Sequence, residues 1–314
     1  MSQQIIATLT LNPAFDKSAR VDQVVPEHKL RCHSAQQEAG GGGVNVARAI
    51  HKLGGQALAL YTCGGLTGTA LKQLLTDEAI QHQPLPIKDW TRESFAVLEE
   101  STGLQYRFSL PGPHLQTAEW RQALTVLQTL EPRPQWLVAS GSLPTGVPDD
   151  FYAQVARIGK ELGISVIVDT SGPALHAMAD AEAFLLKPNL RELNQLTGQS
   201  LDNEAEQERA VCELIESGHA QAIVLSLGSA GVLLATAQGC LRLRSPIVPI
   251  VSKIGAGDSL VGGLTLALAR GWPLTEAVTY GVAASAACVM TPGTELCRLA
   301  ETDRLYQSLQ NSPR

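Results

Sequence analysis

Short, nearly unbroken apolar runs recur along the chain with helix-like stretches between them, and this alternation restricts the fold more than any other feature. The runs are 5–11 (IIATLTL), 58–62 (LALYT), 136–140 (WLVAS), 164–169 (ISVIVD), 183–187 (AFLLK) and 222–227 (AIVLSL). Strands that are apolar on both faces belong in a parallel sheet covered on each side. Helical patterns near 44–53, 67–79, 117–129, 149–162, 189–197 and 203–217 supply the cover, and Gly54 and Gly163 read as helix stops. The repetition predicts an α/β fold with a mainly parallel central sheet and right-handed crossovers. Two stretches leave the pattern. Residues 92–110 read as a hairpin turning at Ser101-Thr102-Gly103, and residues 16–35 are polar and extended, with Pro26 inside. They predict one small β-lobe inserted twice into a single domain spanning 1–314. Its apolar face needs cover, which the same lobe of a second chain would supply.

Composition removes several classes of function. The net charge is −6 and no basic tail is present, so nucleic acid is not expected as a partner. The six cysteines (Cys32, Cys63, Cys212, Cys240, Cys288 and Cys297) form no C-x-x-C pair, which argues against a zinc ribbon or a thioredoxin motif and suits a reducing cytosol. The start, MSQQIIATLTL, carries no basic n-region or cleavage site, and no apolar run reaches the ~18 residues of a membrane span. The expectation is a cytoplasmic protein. The P-loop pattern fails because Gly159-Lys160 is followed by Glu161. The dinucleotide fingerprint fails at Leu260, the nucleophile elbow at Val261, and H-E-x-x-H is absent.

Two glycine turns remain. In KIGAGDSLVGG (253–263), Gly255, Ala256 and Gly257 lead into an apolar helix with Asp258 in its first turn. Unpaired amides at a helix start favour an anion. An acidic residue there serves either the helix dipole alone or a reaction beside a bound phosphate, as a base taking a hydroxyl proton. Stabilised by the dipole, such an aspartate is a weak base, which suffices if the phosphoryl-transfer transition state is loose. In EAGGGGVNVARAIHKLGG (38–55), four consecutive glycines exceed what one turn needs and predict close approach of backbone to a ligand. Asn45 follows in the first helical turn, as a sugar-hydroxyl ligand or an ordinary polar residue.

Together these two stretches resemble the signatures of the PfkB family of sugar kinases, which have the ribokinase-like fold. The resemblance covers essentially the whole chain. TLTLNPAFDKS, EHKLRC, KDWTR, QYRFSLPGP, SGSLPTGVP, VDTSG, LLKPNLREL, VLSLGSAG and GTELC follow in the family's order. Gly42 stands where relatives acting on fructose 1-phosphate or tagatose 6-phosphate usually carry lysine. With KLRC (29–32), it makes the chain most similar to the minor bacterial type of ATP-dependent 6-phosphofructokinase.

The resemblance implies transfer of phosphate from ATP to the 1-hydroxyl of fructose 6-phosphate, giving fructose 1,6-bisphosphate and ADP. Tagatose 6-phosphate kinase and 1-phosphofructokinase are the alternatives within the class. A non-catalytic sugar-phosphate sensor lies outside it, and retention of Asp258 argues against that reading. By resemblance, Asp258 is the base, and the amides of Gly255, Ala256 and Gly257 form the anion hole. Asp16, Gly41, Gly42, Asn45 and Ser142 would line the sugar, and Lys29, Arg31 and Arg92 would hold its 6-phosphate, with a contribution across a homodimer interface built by the lid. Lys187, Asn189, Glu192, Ser226, Leu227 and Gly228 would face ATP. Asn189-x-x-Glu192 reads either as a magnesium-linked motif or as a capping box. Ser252, Ile254, Gly293 and Glu295 would form a potassium loop, although 6-phosphofructokinase-type relatives carry arginine at the position of Glu295.

Overall fold

The computed structural model describes residues 3–311. Its strands are β1 (Ile6–Thr10), β2 (Ala14–Val21), β3 (His33–Gly40), β4 (Leu58–Cys63), β5 (His82–Pro86), β6 (Arg92–Glu99), β7 (Gln105–Ser109), β8 (Trp136–Ser140), β9 (Ser165–Asp169), β10 (Ala183–Leu186), β11 (Ala220–Ser226), β12 (Val232–Thr236) and β13 (Gly239–Leu243). Its helices are α1 (Gly42–Lys52), α2 (Gly65–Asp77), α3 (Thr117–Thr129), α4 (Phe151–Leu162), α5 (Pro173–His176), α6 (Leu190–Thr197), α7 (Glu204–Glu216), α8 (Ala256–Ala269), α9 (Leu274–Val289) and α10 (Leu299–Asn311).

Nine strands form the main sheet in the order β13-β12-β11-β10-β9-β8-β1-β4-β5. Every pair from β11 to β5 is parallel, and the β12–β13 hairpin adds an antiparallel edge. One face packs on α1, α2, α8, α9 and α10, the other on α3, α4, α6 and α7. This two-sided cover is why β1 is buried along its whole length.

Each apolar run forms a strand and each helical pattern a helix. The sequence reading did not extend to β5, β12, β13, α5, α9 and α10. β5 reads HQPLP, and an edge strand tolerates its two prolines. α9 is almost wholly small and apolar, and it is buried on nearly all sides. It therefore lacks the polar stripe that would show a helical period.

The small sheet has the order β3-β2-β6-β7. Ala14 of β2 pairs with Gly40 and with Arg92, so the site-side ends of three lid strands meet at one point. β3 runs on to Gly40, five residues past the end at 35 read from the sequence, because this pairing carries it into the glycine run. Phe95 and Phe108 face each other across β6 and β7, and both are exposed.

Candidate active site

Open parallel sheets bind ligands outside the carboxyl ends of their strands. Here β8, β9, β10 and β11 deliver Ser142, Asp169, Lys187 and Ser226 to that edge. The lid strands begin beside it, so a cleft forms between sheet edge and lid.

Asp258 stands at the mouth of α8. The N-cap Gly255 is left-handed (φ 76°), and no side chain caps the helix. A Cβ on Gly255 would lie 2.4 Å from Leu296 Cδ2, so glycine is required there on two grounds. The first amides of α8 are therefore free for an anion. Asn45 Nδ2 donates to Asp258 Oδ2 at 2.9 Å, joining the two glycine signatures across 213 residues of sequence. Burial pushes the Asp258 carboxyl up to about 6, and Asp169 adds to the push, against the Asn45 hydrogen bond and Lys187. The helix dipole was expected to keep this aspartate a weak base. Loss of water outweighs it, because the carboxylate lies recessed among protein atoms and another acid.

On the lid side, Asp16 faces the same cleft. Burial raises its carboxyl to about 6, while Arg92, the Ser94 hydroxyl and Arg107 hold it down. Arg92 donates to the backbone oxygen of Asn12 at 3.3 Å and to Ser109 Oγ at 3.0 Å. Asn12 Nδ2 donates to Ser142 Oγ at 3.0 Å, and Asn12 Oδ1 is buried without a partner among the described residues. The glycine run packs against protein. A Cβ on Gly40 would lie 2.0 Å from Asp16 Oδ2, and one on Gly42 would lie 2.2 Å from Ser140 Oγ. Close backbone approach is thus already required by neighbouring side chains; a ligand is not needed to explain it. Gly41 adopts φ 110° between them. Lys29 and Arg31 are exposed in the connection after β2, at the far end of the lid sheet, and are not brought to this cleft.

On the other side, Lys187 is buried and pairs with Asp169 Oδ1 at 3.0 Å. Burial alone would lower the lysine's pKa, yet Asp169, Glu192 and Asp258 together raise it. Asn189 and Glu192 form a reciprocal capping box at the start of α6 (2.8 and 2.9 Å). The Glu192 carboxyl is nonetheless raised by burial, with Asp169 adding to the effect. Ser226 N–H donates to Pro188 O, and Leu227 N–H to Gly231 O, which turns the chain sharply at Gly228.

Ser252 Oγ donates to Gly293 O at 3.0 Å and accepts from Ile254 N–H at 3.3 Å, tying two loops together. The Glu295 carboxylate accepts from Arg298 Nε at 2.8 Å. Its negative charge is therefore taken up by an exposed ion pair.

Three residues of this site were not singled out from the sequence. Asp169 lies in VDTSG at a strand end, where an acidic residue ahead of a glycine was the available signal. Asn12 and Arg107 carry no local signal and are assembled by the fold.

Residues 9–301 match the model of the pfkB family of carbohydrate kinases. The chain belongs to the pfkB family. Over 302 residues, this pfkB kinase is 45% identical to the ATP-dependent 6-phosphofructokinase isozyme 2 of Mycobacterium tuberculosis, covering 96% of this chain and 89% of the relative. Its fold matches crystal structures of phosphofructokinase-2 from Escherichia coli. The complex with potassium gives a TM-score of 0.93 at 42% identity, and the complex with fructose-6-phosphate gives 0.91 at 41%. Each alignment covers 98% of this pfkB kinase and 100% of the other chain.

Proposed function

We infer that this pfkB-family chain is an ATP-dependent 6-phosphofructokinase, transferring the γ-phosphoryl group of ATP to the 1-hydroxyl of fructose 6-phosphate. The similarity over nearly the full length to enzymes of that name supports the substrate. The observation that carries the chemistry is Asp258, recessed beside uncapped amides and held near 6. A carboxylate in that range is ionised at neutral pH yet basic enough to take a proton as transfer proceeds.

The sugar lies between the lid and the glycine run, its hydroxyls bonded to Asp16, Asn45 and Ser142 beside Gly41 and Gly42. Arg92 holds the 6-phosphate. The 1-hydroxyl donates its proton to Asp258 while its oxygen bonds to the γ-phosphorus; the bond from that phosphorus to the β,γ-bridging oxygen breaks, and ADP leaves with the electron pair. The amides of Gly255, Ala256 and Gly257 take up the charge on the transferring group. Because the base and the anion hole flank the same oxygen, they adjoin in sequence. Lys187, Asn189, Glu192, Ser226, Leu227 and Gly228 border the nucleotide.

Asp169 and Glu192 offer carboxylate oxygens and Asn189 an amide oxygen, a donor set that suits a hard divalent cation. Magnesium bound there with ATP would neutralise charge on its β- and γ-phosphates. Potassium fits the carbonyls of Ile254 and Gly293 with the Ser252 hydroxyl, an all-oxygen set beside α8, where it would supply a fixed positive field. Glu295 contributes its backbone only, since its carboxylate is engaged with Arg298.

The whole chain acts as one kinase domain, with the four-stranded sheet as its lid. Two copies pair through that lid, a reading supported by the exposed Phe95–Phe108 pair. Lys29 and Arg31, remote from their own cleft, then serve the partner's phosphate site. The cytoplasm is the proposed compartment, supported by six cysteines that are all free. No helix among the described residues is long and apolar enough to cross a membrane.

The test is a coupled assay of initial rates with magnesium-ATP and, separately, fructose 6-phosphate, tagatose 6-phosphate and fructose 1-phosphate. The highest kcat/KM is expected with fructose 6-phosphate. A higher value with another sugar phosphate overturns the substrate, and binding without turnover overturns the enzyme in favour of a sensor.

A further inference from the structure

Arg48, three residues after Asn45 on α1, is 2% exposed. Burying an arginine is costly unless its N–H groups are paired. Nε and one terminal nitrogen grip Glu78, at the end of α2, with two bonds of 2.8 Å. The other terminal nitrogen donates to Ala39 O at 2.8 Å and to Asn45 Oδ1 at 3.4 Å. Glu38 Oε1 lies 3.5 Å from the terminal nitrogen that holds Glu78, and the second oxygen of that carboxylate accepts from the Thr294 hydroxyl. The Glu78 and Ala39 bonds staple α1 to α2 and β3, and a structural role accounts for them. It does not account for the bond to Asn45.

An amide whose oxygen faces a guanidinium has only one workable orientation. Flipped, it would present its NH2 to Arg48 and its oxygen to Asp258, and both contacts would be repulsive. With Arg48 in place, the NH2 is held on Asp258 Oδ2 at 2.9 Å. We propose that Arg48 is a positioning residue for the reaction: it fixes the Asn45 amide as a hydrogen-bond donor to Asp258 and so sets both the direction and the basicity of that carboxylate. The proposal rests on Asp258 being the base.

The charged groups around Asp258 are Lys187, Asp169 and Asp16, and those around Arg48 are Glu38 and Glu78. Hydrogen bonds run from Arg48 to Asn45 and from Asn45 to Asp258, and whatever Arg48 does through that link is lost when Asn45 is removed. That makes a double-mutant cycle decisive. Arg48→Lys keeps a positive charge for the glutamates but cannot grip Glu78 and reach Asn45 together. Arg48→Met removes all the bonds and serves as the stronger variant where it folds. The readout is the acidic limb of kcat/KM against pH; ionisation of the sugar phosphate contributes equally to each enzyme.

In Arg48→Lys the limb is expected to move up by about half to one pH unit, with KM for magnesium-ATP within about twofold of the parent. On an Asn45→Ala background, Arg48→Lys is expected to move the limb no further. A folded Arg48→Lys enzyme with an unmoved limb overturns the proposal, as does an equal shift with and without Asn45. Asp258→Asn run alongside separates the two readings. If it retains parental kcat, the assignment of the base fails. If it is inactive while the Arg48 limb stays put, only the positioning role fails.

Discussion

Asp258→Asn keeps the volume of the side chain and removes its charge, and its effects on rate and on stability should have opposite signs. The folded chain holds this carboxyl at about 6 against an ordinary 3.8. Two units correspond to about 3 kcal/mol of disfavour for the charged form. The side chain opens partly to the cleft, so screening reduces this to about 1–2 kcal/mol. The sign follows from the two pKa values. Between about 4 and 6 the unfolded chain gives up this proton while the folded chain keeps it, so the parent loses stability as pH rises through that window and gains none above it. Asparagine carries no such penalty. At pH 7.5 the ligand-free variant should melt higher by about 2–4 °C, and at pH 4 the two should melt together. In the coupled assay at pH 7.5, kcat should fall by about 10²–10⁴, with KM for fructose 6-phosphate within a few-fold, because a base acts mainly in the transition state. A loss of kcat smaller than about tenfold refutes the role of base. A lower melting temperature at pH 7.5 refutes the claim that the carboxylate is held at a cost.

Three further outcomes are expected. Arg92→Ala should raise KM for the sugar phosphate by about 10–100-fold, the worth of a charge-assisted hydrogen bond, and an unchanged KM would place the phosphate elsewhere. Gly40→Ala puts a Cβ 2.0 Å from Asp16 Oδ2 and must displace that carboxylate; KM for the sugar should rise about tenfold while KM for magnesium-ATP holds, and parental values for both would show that Asp16 does not bind sugar. Glu192→Gln retains an oxygen for the Asn189 amide, so α6 should stay intact while the magnesium needed for half-maximal rate rises about three- to tenfold. An unchanged magnesium requirement would leave Asn189 and Glu192 as a capping box alone.

Elements whose environment is imposed by the strand–helix alternation were legible in the sequence. The strand at 136–140 and the helix at 117–129 were read with their observed ends. Legibility fails where burial removes contrast. α9 is mostly small and apolar because it is buried on nearly all sides, and periodicity carries little signal there; α8, as apolar, was read only from its glycine turn. The site divides along similar lines. Asp258 and Asn45 stood out because glycine turns mark helix starts, but nothing local shows that the two meet at 2.9 Å. Asp169 reads as an ordinary strand end until β9 and β10 lie side by side and set it against Lys187. Arg48 reads as the polar face of an amphipathic helix until α2 and β3 close over it. The direction of the Asp258 shift was also out of reach, since dipole stabilisation is visible in sequence and desolvation is a property of the assembled cleft.

That balance bears on why, in the proposed reaction, uncharged amides rather than lysines or arginines would face the transferring group. A free cation beside Asp258 would hold its pKa down and weaken it as a base. Lys187 is the cation that comes near; its Nζ lies 3.8 Å from where a Cβ of Gly257 would stand. It is already paired with Asp169 at 3.0 Å, and the field of Asp169 itself pushes Asp258 upward. In the proposed reaction the pair would thus bring positive charge to the nucleotide side without neutralising the base. Backbone amides stabilise developing negative charge through fixed dipoles, which act over short range and require no counter-ion. Burial raises Asp16, Glu192 and Asp258 alike, so the cleft that must accept two phosphorylated substrates keeps its acids basic without a free cation beside the proposed base.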